Sequence, residues 1–405
     1  MSVGTEQLSA LESAALDLID EAALVSCTQR LVRAPGQNPP GEEAATVAVL
    51  AEICAELDLD VSTSTVVEGR DNLHALTRDH DGGPALMLLG HTDVVPLGDG
   101  WTVEPFGGLL RDGRIHGRGT TDMKGGLAAS AVAMSAVQRA TRAAGVRLTG
   151  PVELAATVDE EATGIGVRHL VGQPQPRAYL GCITAEPTDL QTIIAARGDA
   201  YVEIAVRGVA AHAGRPDDGR NAIYGAARVV ESLRRWHDEL KADAHRLVGP
   251  ATWNVGRIDG GHGASIVPAD ATVYADRRLL PSESPAEVLA DIRARVESLG
   301  LADDGLTVEV TMPMDMPGFE TPQGDSFVAA VDDALGRVGG PGLPLGGWTA
   351  ACDGGFVSRD WGVPTIVLGP GSVNEQAHRP DESVGVDELV TAARTYALAA
   401  LRLLT

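Results

Sequence analysis

The sequence predicts an α/β fold, a mixed and mostly parallel sheet flanked by helices, interrupted by an inserted α+β segment. Three observations carry that expectation. The run at 85–89 is continuously apolar, and those at 152–158, 178–184 and 364–368 are mostly so and bounded by turn residues, the pattern of strands buried on both faces of a parallel sheet. Stretches with apolar residues at helical spacing are interspersed with them. Residues 201–207 alternate instead, with Val202, Ile204 and Val206 on one face, as in a half-buried antiparallel strand. At 405 residues, and with roughly 150 residues per domain as a guide, the chain has room for two or three structural units.

Taken in order, residues 11–31 and 42–57 read as helices, separated by the Pro/Gly-rich turn at 34–41. A strand at 73–76 precedes the turn Asp81-Gly-Gly-Pro84, and the run at 85–89 ends on Gly90-His-Thr-Asp93. The run at 152–158 ends on Asp159-Glu-Glu161, and that at 178–184 on Ala185-Glu-Pro187. The run at 364–368 leads through Gly369-Pro-Gly371 to Ala377-His378. Between them lie the alternating strand, a helix at 221–236, strands at 253–258 and 272–278, a helix at 285–299 and a strand at 306–311. The expected division is therefore 1–195, an insertion at 196–314, and a return to the first unit at 315–405.

Composition narrows the function classes. The formal net charge of −24 repels phosphate backbones and anionic lipid, which argues against nucleic acid and membrane partners. No apolar run approaches the roughly 18 residues of a membrane span. Residues 1–10 carry neither a basic cluster nor an apolar core of a signal peptide, so the cytoplasm is the expected compartment. The four cysteines form no CxxC pair, which favours plain buried thiols over a disulfide framework or a zinc knuckle.

Chemistry gathers where the buried strands stop. Ligands of open α/β sheets collect beyond the carboxyl ends of the strands, and here four such ends carry a histidine or a carboxylate. His91 and Asp93, two apart, suit a metal ligand and the group that orients it. Asp122 follows a flexible Gly-rich turn and opens a helix of small residues, where the bland reading is an N-cap. Three adjacent acids at 159–161 repel one another unless cations sit among them; the alternative is a solvated acidic loop. Neighbouring side chains diverge, so one carboxylate can bind metal while the next stays free as a base. Glu186 and His378 complete a set of two imidazoles and three carboxylates, with Glu160 left as the base. Such donors suit zinc, and five of them suit two ions sharing one carboxylate. Singly, each residue has a structural explanation.

The motifs Leu89-Gly-His-Thr-Asp-Val-Val-Pro96, Gly117-Arg-Gly-Thr-Thr-Asp-Met-Lys-Gly-Gly126, Asp159-Glu-Glu161, Glu186-Pro-Thr188 and Gly369-Pro-Gly371 with His378 resemble one family. It is the co-catalytic zinc hydrolases that include acetylornithine deacetylase, succinyl-diaminopimelate desuccinylase, aminoacylase and carboxypeptidase G. The resemblance runs from near Ile19 to the C-terminus. It implies a zinc-peptidase-like fold in which Asp122 is shared by two divalent ions, zinc first, with cobalt or manganese as alternatives. His91 and Glu186 would hold one ion and Glu161 and His378 the other, with Glu160 as general base and Asp93 orienting His91. Residues 196–314 look like the family's lid or dimerisation domain, which implies a homodimer. Within it, Ala211-His-Ala-Gly-Arg-Pro216 resembles the lid signature in which His212 reaches the site of a partner subunit and steadies an oxyanion. Arg278 matches the arginine that grips a substrate carboxylate. Ser265 stands where relatives commonly place Asn and is expected to contact substrate differently.

The implied reaction is hydrolysis of the amide bond of a small N-acyl amino acid by a metal-activated water. A dipeptidase or carboxypeptidase of the same family is the alternative, since pocket shape rather than the ligand set separates them. A catalytically inactive binding homologue is more remote, because a pure binder has no use for the carboxylate of Glu160. A serine hydrolase is disfavoured by the lack of a GxSxG elbow.

Overall fold

A computed structural model describes residues 8–405; most of the stretch read for a leader, 1–7, lies outside the described residues. The chain forms two compact units. One comprises the chain up to Ile194 together with Thr321–Gly346 and Phe356–Thr405, and the other Ala195–Glu320 with Gly347–Gly355.

The first unit is built on a mixed sheet. In spatial order its strands are Asp60–Val67, Arg70–Leu76, Val152–Thr157, Ala85–His91, Tyr179–Thr184, Thr365–Val367 and Ile193–Ala196. The four apolar runs are the central strands and pair in parallel. Every residue of Ala85–His91 and of Val152–Thr157 is buried, which is why those runs are mostly apolar rather than alternating; the buried Glu153 is met by Tyr179 and His74. Register aligns their ends: His91 lies beside Thr157, and Thr184 lies beside both Leu89 and Val367. The edge strand Asp60–Val67 is Ser/Thr-rich and largely exposed, so it lacks the apolar pattern by which a strand is recognised.

Two helix expectations need correction. The helix expected at 11–31 is two helices, Ala10–Asp17 and Glu21–Val32, because Asp20 Oδ1 accepts the Ala22 N–H at 2.9 Å and starts a new helix. The small-residue helix does not open at Asp122. It spans Gly125–Ala144 with Lys124 at the N-cap position, and Asp122 sits before it with non-helical φ −118° and ψ 94°. The capping explanation for Asp122 is thereby removed. The small residues serve close packing: a Cβ on Gly126 would lie 2.2 Å from the Ala185 carbonyl oxygen, one residue before Glu186. Among the described residues no helix is long and apolar enough to cross a membrane.

The second unit contains an antiparallel sheet in the order Thr252–Gly260, Asp270–Leu279, Gly198–Arg207 and Thr307–Met316. Val202, Ile204 and Val206 are buried against Val273 and the helices Ala222–Leu240 and Pro285–Glu297, through Val229, Leu233 and Ile292. The first of these helices begins at Asn221, whose Oδ1 accepts the Ile223 N–H at 3.0 Å.

The Gly126 contact makes a test with a defined sign. Helix propensity alone predicts that Gly126→Ala stabilises the protein by about 1 kcal/mol, whereas collision with a backbone carbonyl predicts a loss of about 1–3 kcal/mol. Urea unfolding of the variant is expected to show the loss.

Candidate metal centre

The aligned strand ends bring a histidine and several carboxylates to one place. His91 is the last residue of its strand and is 1% exposed. Gly90 leaves room beneath it for the Met123 side chain, whose Sδ receives the His91 N–H at 3.2 Å. His91 Nε2 lies 3.1 Å from Asp122 Oδ1, 3.5 Å from Glu186 Oε1 and 4.0 Å from Glu160 Oε2. His378 comes from the other side, on a residue with φ 63°. Its Nε2 lies 3.0 Å from Glu161 Oε2 and 3.4 Å from Asp122 Oδ2. The two oxygens of Asp122 thus face two different imidazoles. Donor atoms of His91, Glu160 and Glu186 lie within 4.8 Å of one another, as do those of His91, Asp122 and Glu161. Proximity alone does not separate Glu160 from the expected ligands.

So many carboxylates in so little water distort the titration of the group. Burial disfavours a charged imidazole at His91, but the Glu186 carboxylate, with Asp122 and Asp93, overrides it and raises the pKa well above the ordinary value. His378 is raised to about 10 by its bonds to Asp122 and Glu161. Burial pushes Asp122 upward, yet His378 and His91 hold it below the usual carboxylate range. Glu161 is raised, by burial and then by the charge of Asp122. Imidazoles held protonated by surrounding carboxylates are the response of a site whose negative charge calls for cations. Nitrogen and carboxylate donors at these separations suit divalent metal.

The acidic turn is braced by residues that do not enter the donor set. Asp93 Oδ1 accepts the Glu160 N–H at 3.2 Å, and its Oδ2 accepts the Glu161 N–H at 3.1 Å. His91 Nδ1 faces Asp93 twice, its carbonyl oxygen at 3.0 Å and its carboxylate at 3.5 Å. Asn38 Nδ2 donates to both Asp93 Oδ2 and Asp159 Oδ1 at 2.9 Å. Asp159 also pairs with Arg70 at 2.8 Å and accepts from Thr163. Burial would raise its carboxyl, but Thr163, Asn38 and Arg70 keep it low. Lys124 is wholly buried, donating to the carbonyls of Ala34 and Pro35 at 2.6 Å, and burial lowers its pKa to about 7 against the pull of Glu382 and Asp93. Asn38 escaped sequence reading because it lies in a Pro/Gly turn, where a polar side chain normally faces solvent; only its 3% exposure marks it.

The remaining three expected site residues belong to the second unit. His212 and Ser265 are exposed neighbours: His212 pairs with Ile266 in a short antiparallel bridge, and the Ala213 N–H donates to the Ser265 carbonyl at 3.0 Å. The Gly214 N–H donates to His212 Nδ1 at 3.0 Å, which leaves Nε2 to carry the hydrogen of the neutral ring. Arg278 is half-buried and already paired, with Asp276 at 2.9 and 3.1 Å and Asp199 at 3.2 Å.

Comparisons with known proteins identify the family of the chain. A family model described as peptidase family M20/M25/M40 matches residues 87–402. The chain is 34% identical over 352 residues to a succinyl-diaminopimelate desuccinylase of Stenotrophomonas maltophilia, covering 82% of this chain and 87% of that one. It is 31% identical over 354 residues to an acetylornithine deacetylase of Proteus mirabilis, covering 84% and 85%. Its fold is similar to that of an M20 family metallo-carboxypeptidase from Sulfolobus solfataricus, with a TM-score of 0.75, 18% identity, and 93% and 98% of the two chains covered.

Coordination requires neutral imidazoles, whereas the carboxylates around His91 and His378 raise the pKa of both rings. Zinc added to metal-free protein is therefore expected to release protons. Its affinity should rise from about pH 6 to about pH 8, by up to about tenfold per pH unit for each proton displaced. Calorimetry in buffers of different ionisation enthalpy measures both quantities, and an affinity independent of pH would show that the imidazoles carry no proton to displace.

Proposed function

The chain belongs to peptidase family M20/M25/M40, and from that premise and the donor geometry we propose that it is a metal-dependent hydrolase that removes the acyl group from a small N-acyl amino acid. The observation that carries the metal part is the placement of Asp122, one oxygen 3.1 Å from His91 and the other 3.4 Å from His378. On this reading Asp122 would be shared by two divalent ions, with His91 and Glu186 holding one and Glu161 and His378 the other. Zinc is the first choice, with cobalt or manganese as alternatives. When bound, such a pair supplies Lewis acidity and lowers the pKa of water to about 7. The resemblance to a deacetylase and a desuccinylase supports acyl amino acids as the substrate class.

The chain's own residues then divide the work. Glu160 takes a proton from water as its oxygen attacks the acyl carbonyl, and returns that proton to the departing nitrogen. His212 presents Nε2–H to the oxyanion in the active site of a partner subunit, its tautomer set by the Gly214 N–H. Arg278 offers its planar fork to the substrate carboxylate, which must compete with Asp276 and Asp199 for it. The Ser265 hydroxyl adds a polar contact on the segment beside His212. The second unit acts as lid and dimerisation domain, and its exposed Tyr224, Ile258 and Ile266 offer apolar area to a second copy. Four buried thiols suit a reducing cytoplasm.

Two measurements test this reading. Glu160→Ala is expected to keep its metal content and lose turnover by at least about 10²–10⁴-fold; loss of metal would instead make Glu160 a ligand, and full activity would remove it as the base. A panel of N-acetyl and N-succinyl amino acids and dipeptides, with and without chelator, is expected to give chelator-sensitive release of the acyl group. Preference for dipeptides would move the chain to the peptidase alternative, and activity surviving thorough metal removal would end the proposal.

A further inference from the structure

We propose that Glu382 is a positioning residue, a buried clamp that locks the turn carrying Asp122 to the segment carrying His378 and so sets the spacing on which metal binding depends. The inference rests on reading Asp122 and His378 as ligands. Glu382 is 1% exposed, and a buried carboxylate needs partners for both of its oxygens. Its Oε1 accepts the backbone N–H groups of Thr121 at 2.9 Å and Asp122 at 3.1 Å. Its Oε2 accepts the Gly119 N–H at 3.0 Å and Arg118 Nη1 at 2.7 Å. Three backbone donors of one turn, those of Gly119, Thr121 and Asp122, the last being the residue between the two imidazoles, therefore converge on one side chain.

The tie continues along the backbone. The Gly117 N–H donates to the Glu382 carbonyl at 2.8 Å, and Thr121 Oγ1 donates to the Ser383 carbonyl at 2.9 Å. Strand Arg114–His116 pairs with Ser383–Gly385. Arg118, itself 1% exposed, reaches on to the Arg379 carbonyl at 3.3 Å, beside His378. A residue four positions after one expected ligand thus grips the main chain of another, 260 positions away in sequence. Glu382 belongs to neither group of clustered donor atoms, and its oxygens are turned toward the turn's N–H groups. Its contribution to metal binding is indirect, through the backbone of Asp122. Groups that orient metal ligands in this way typically contribute about 10–100-fold to affinity.

Zinc itself is the probe. Glu382→Gln sets an amide NH₂ against N–H donors and a guanidinium. Glu382→Asp keeps the charge beside Arg118 but draws it back from the turn. Each metal-free, folded variant is titrated with zinc against a chromophoric chelator, and its melting is followed without metal. Zinc affinity is expected to fall about 10–100-fold in Glu382→Gln and by a smaller factor in Glu382→Asp. If Glu382→Gln does not fold, Glu382→Asp decides alone. Folded variants that bind zinc within about twofold of the parent, even with lowered melting, would show a role in stability only and overturn the proposal while leaving the metal centre standing. A parent chain that binds no zinc would overturn both.

Discussion

Repulsion among buried carboxylates is the constraint around which the first unit is organised. Asp122, Glu161 and Glu186 crowd His91 and His378 at distances of 3.0–3.5 Å, with Glu160 at 4.0 Å. Anions do not collect in a poorly hydrated place without opposing charge. The protein provides part of that charge by holding its imidazoles protonated, and divalent cations would provide it more completely. The buried parallel strands and their register deliver these groups to a common edge.

A second set of polar groups keeps the assembly from relaxing. Asp93, Asn38 and Arg70 hold the turn at 159–161, and Glu382 with Arg118 holds the turn at 119–122. The buried acids among them, Asp93 and Glu382, are met by backbone N–H, guanidinium or amide donors, so the cost of their burial is offset locally. That arrangement separates two kinds of acid in the same region. The bracing acids have their oxygens occupied by the protein's own donors, whereas Asp122 and Glu161 face imidazole rings. Gly126 adds a packing constraint of its own, bringing a helix backbone against the residue that precedes Glu186.

In the second unit a charge has to be read together with its partners. Arg278 looks from the sequence like an available cation, yet Asp276 and Asp199 already share its guanidinium. Neighbouring Arg277 is 1% exposed and pairs with Glu283. A substrate carboxylate would find a fork oriented in advance but not vacant, and binding would depend on exchange among anions. His212 is a simpler case, with one nitrogen committed to a backbone N–H and the other left as a donor.

The central strands were legible in the sequence because burial on both faces leaves a mostly apolar run, and the alternating strand of the second unit because its sheet buries one face. The residues ending those strands stood out because acids and imidazoles beside apolar runs are costly without purpose. The edge strand Asp60–Val67, the break at Asp20 and the true start of the helix after Asp122 were not legible, since exposure, a single capping bond and an irregular turn leave weak or misleading patterns. Asn38 and Glu382 were invisible for a different reason. Nothing local distinguishes a buried Asn in a turn, or a Glu four residues past a histidine, from their solvated counterparts. By itself the sequence determined which segments are buried and which donors lie at their ends. Tertiary structure alone decided which oxygens face the imidazoles and which are consumed by backbone N–H groups, because hydrogen-bond direction depends on partners up to 264 residues apart.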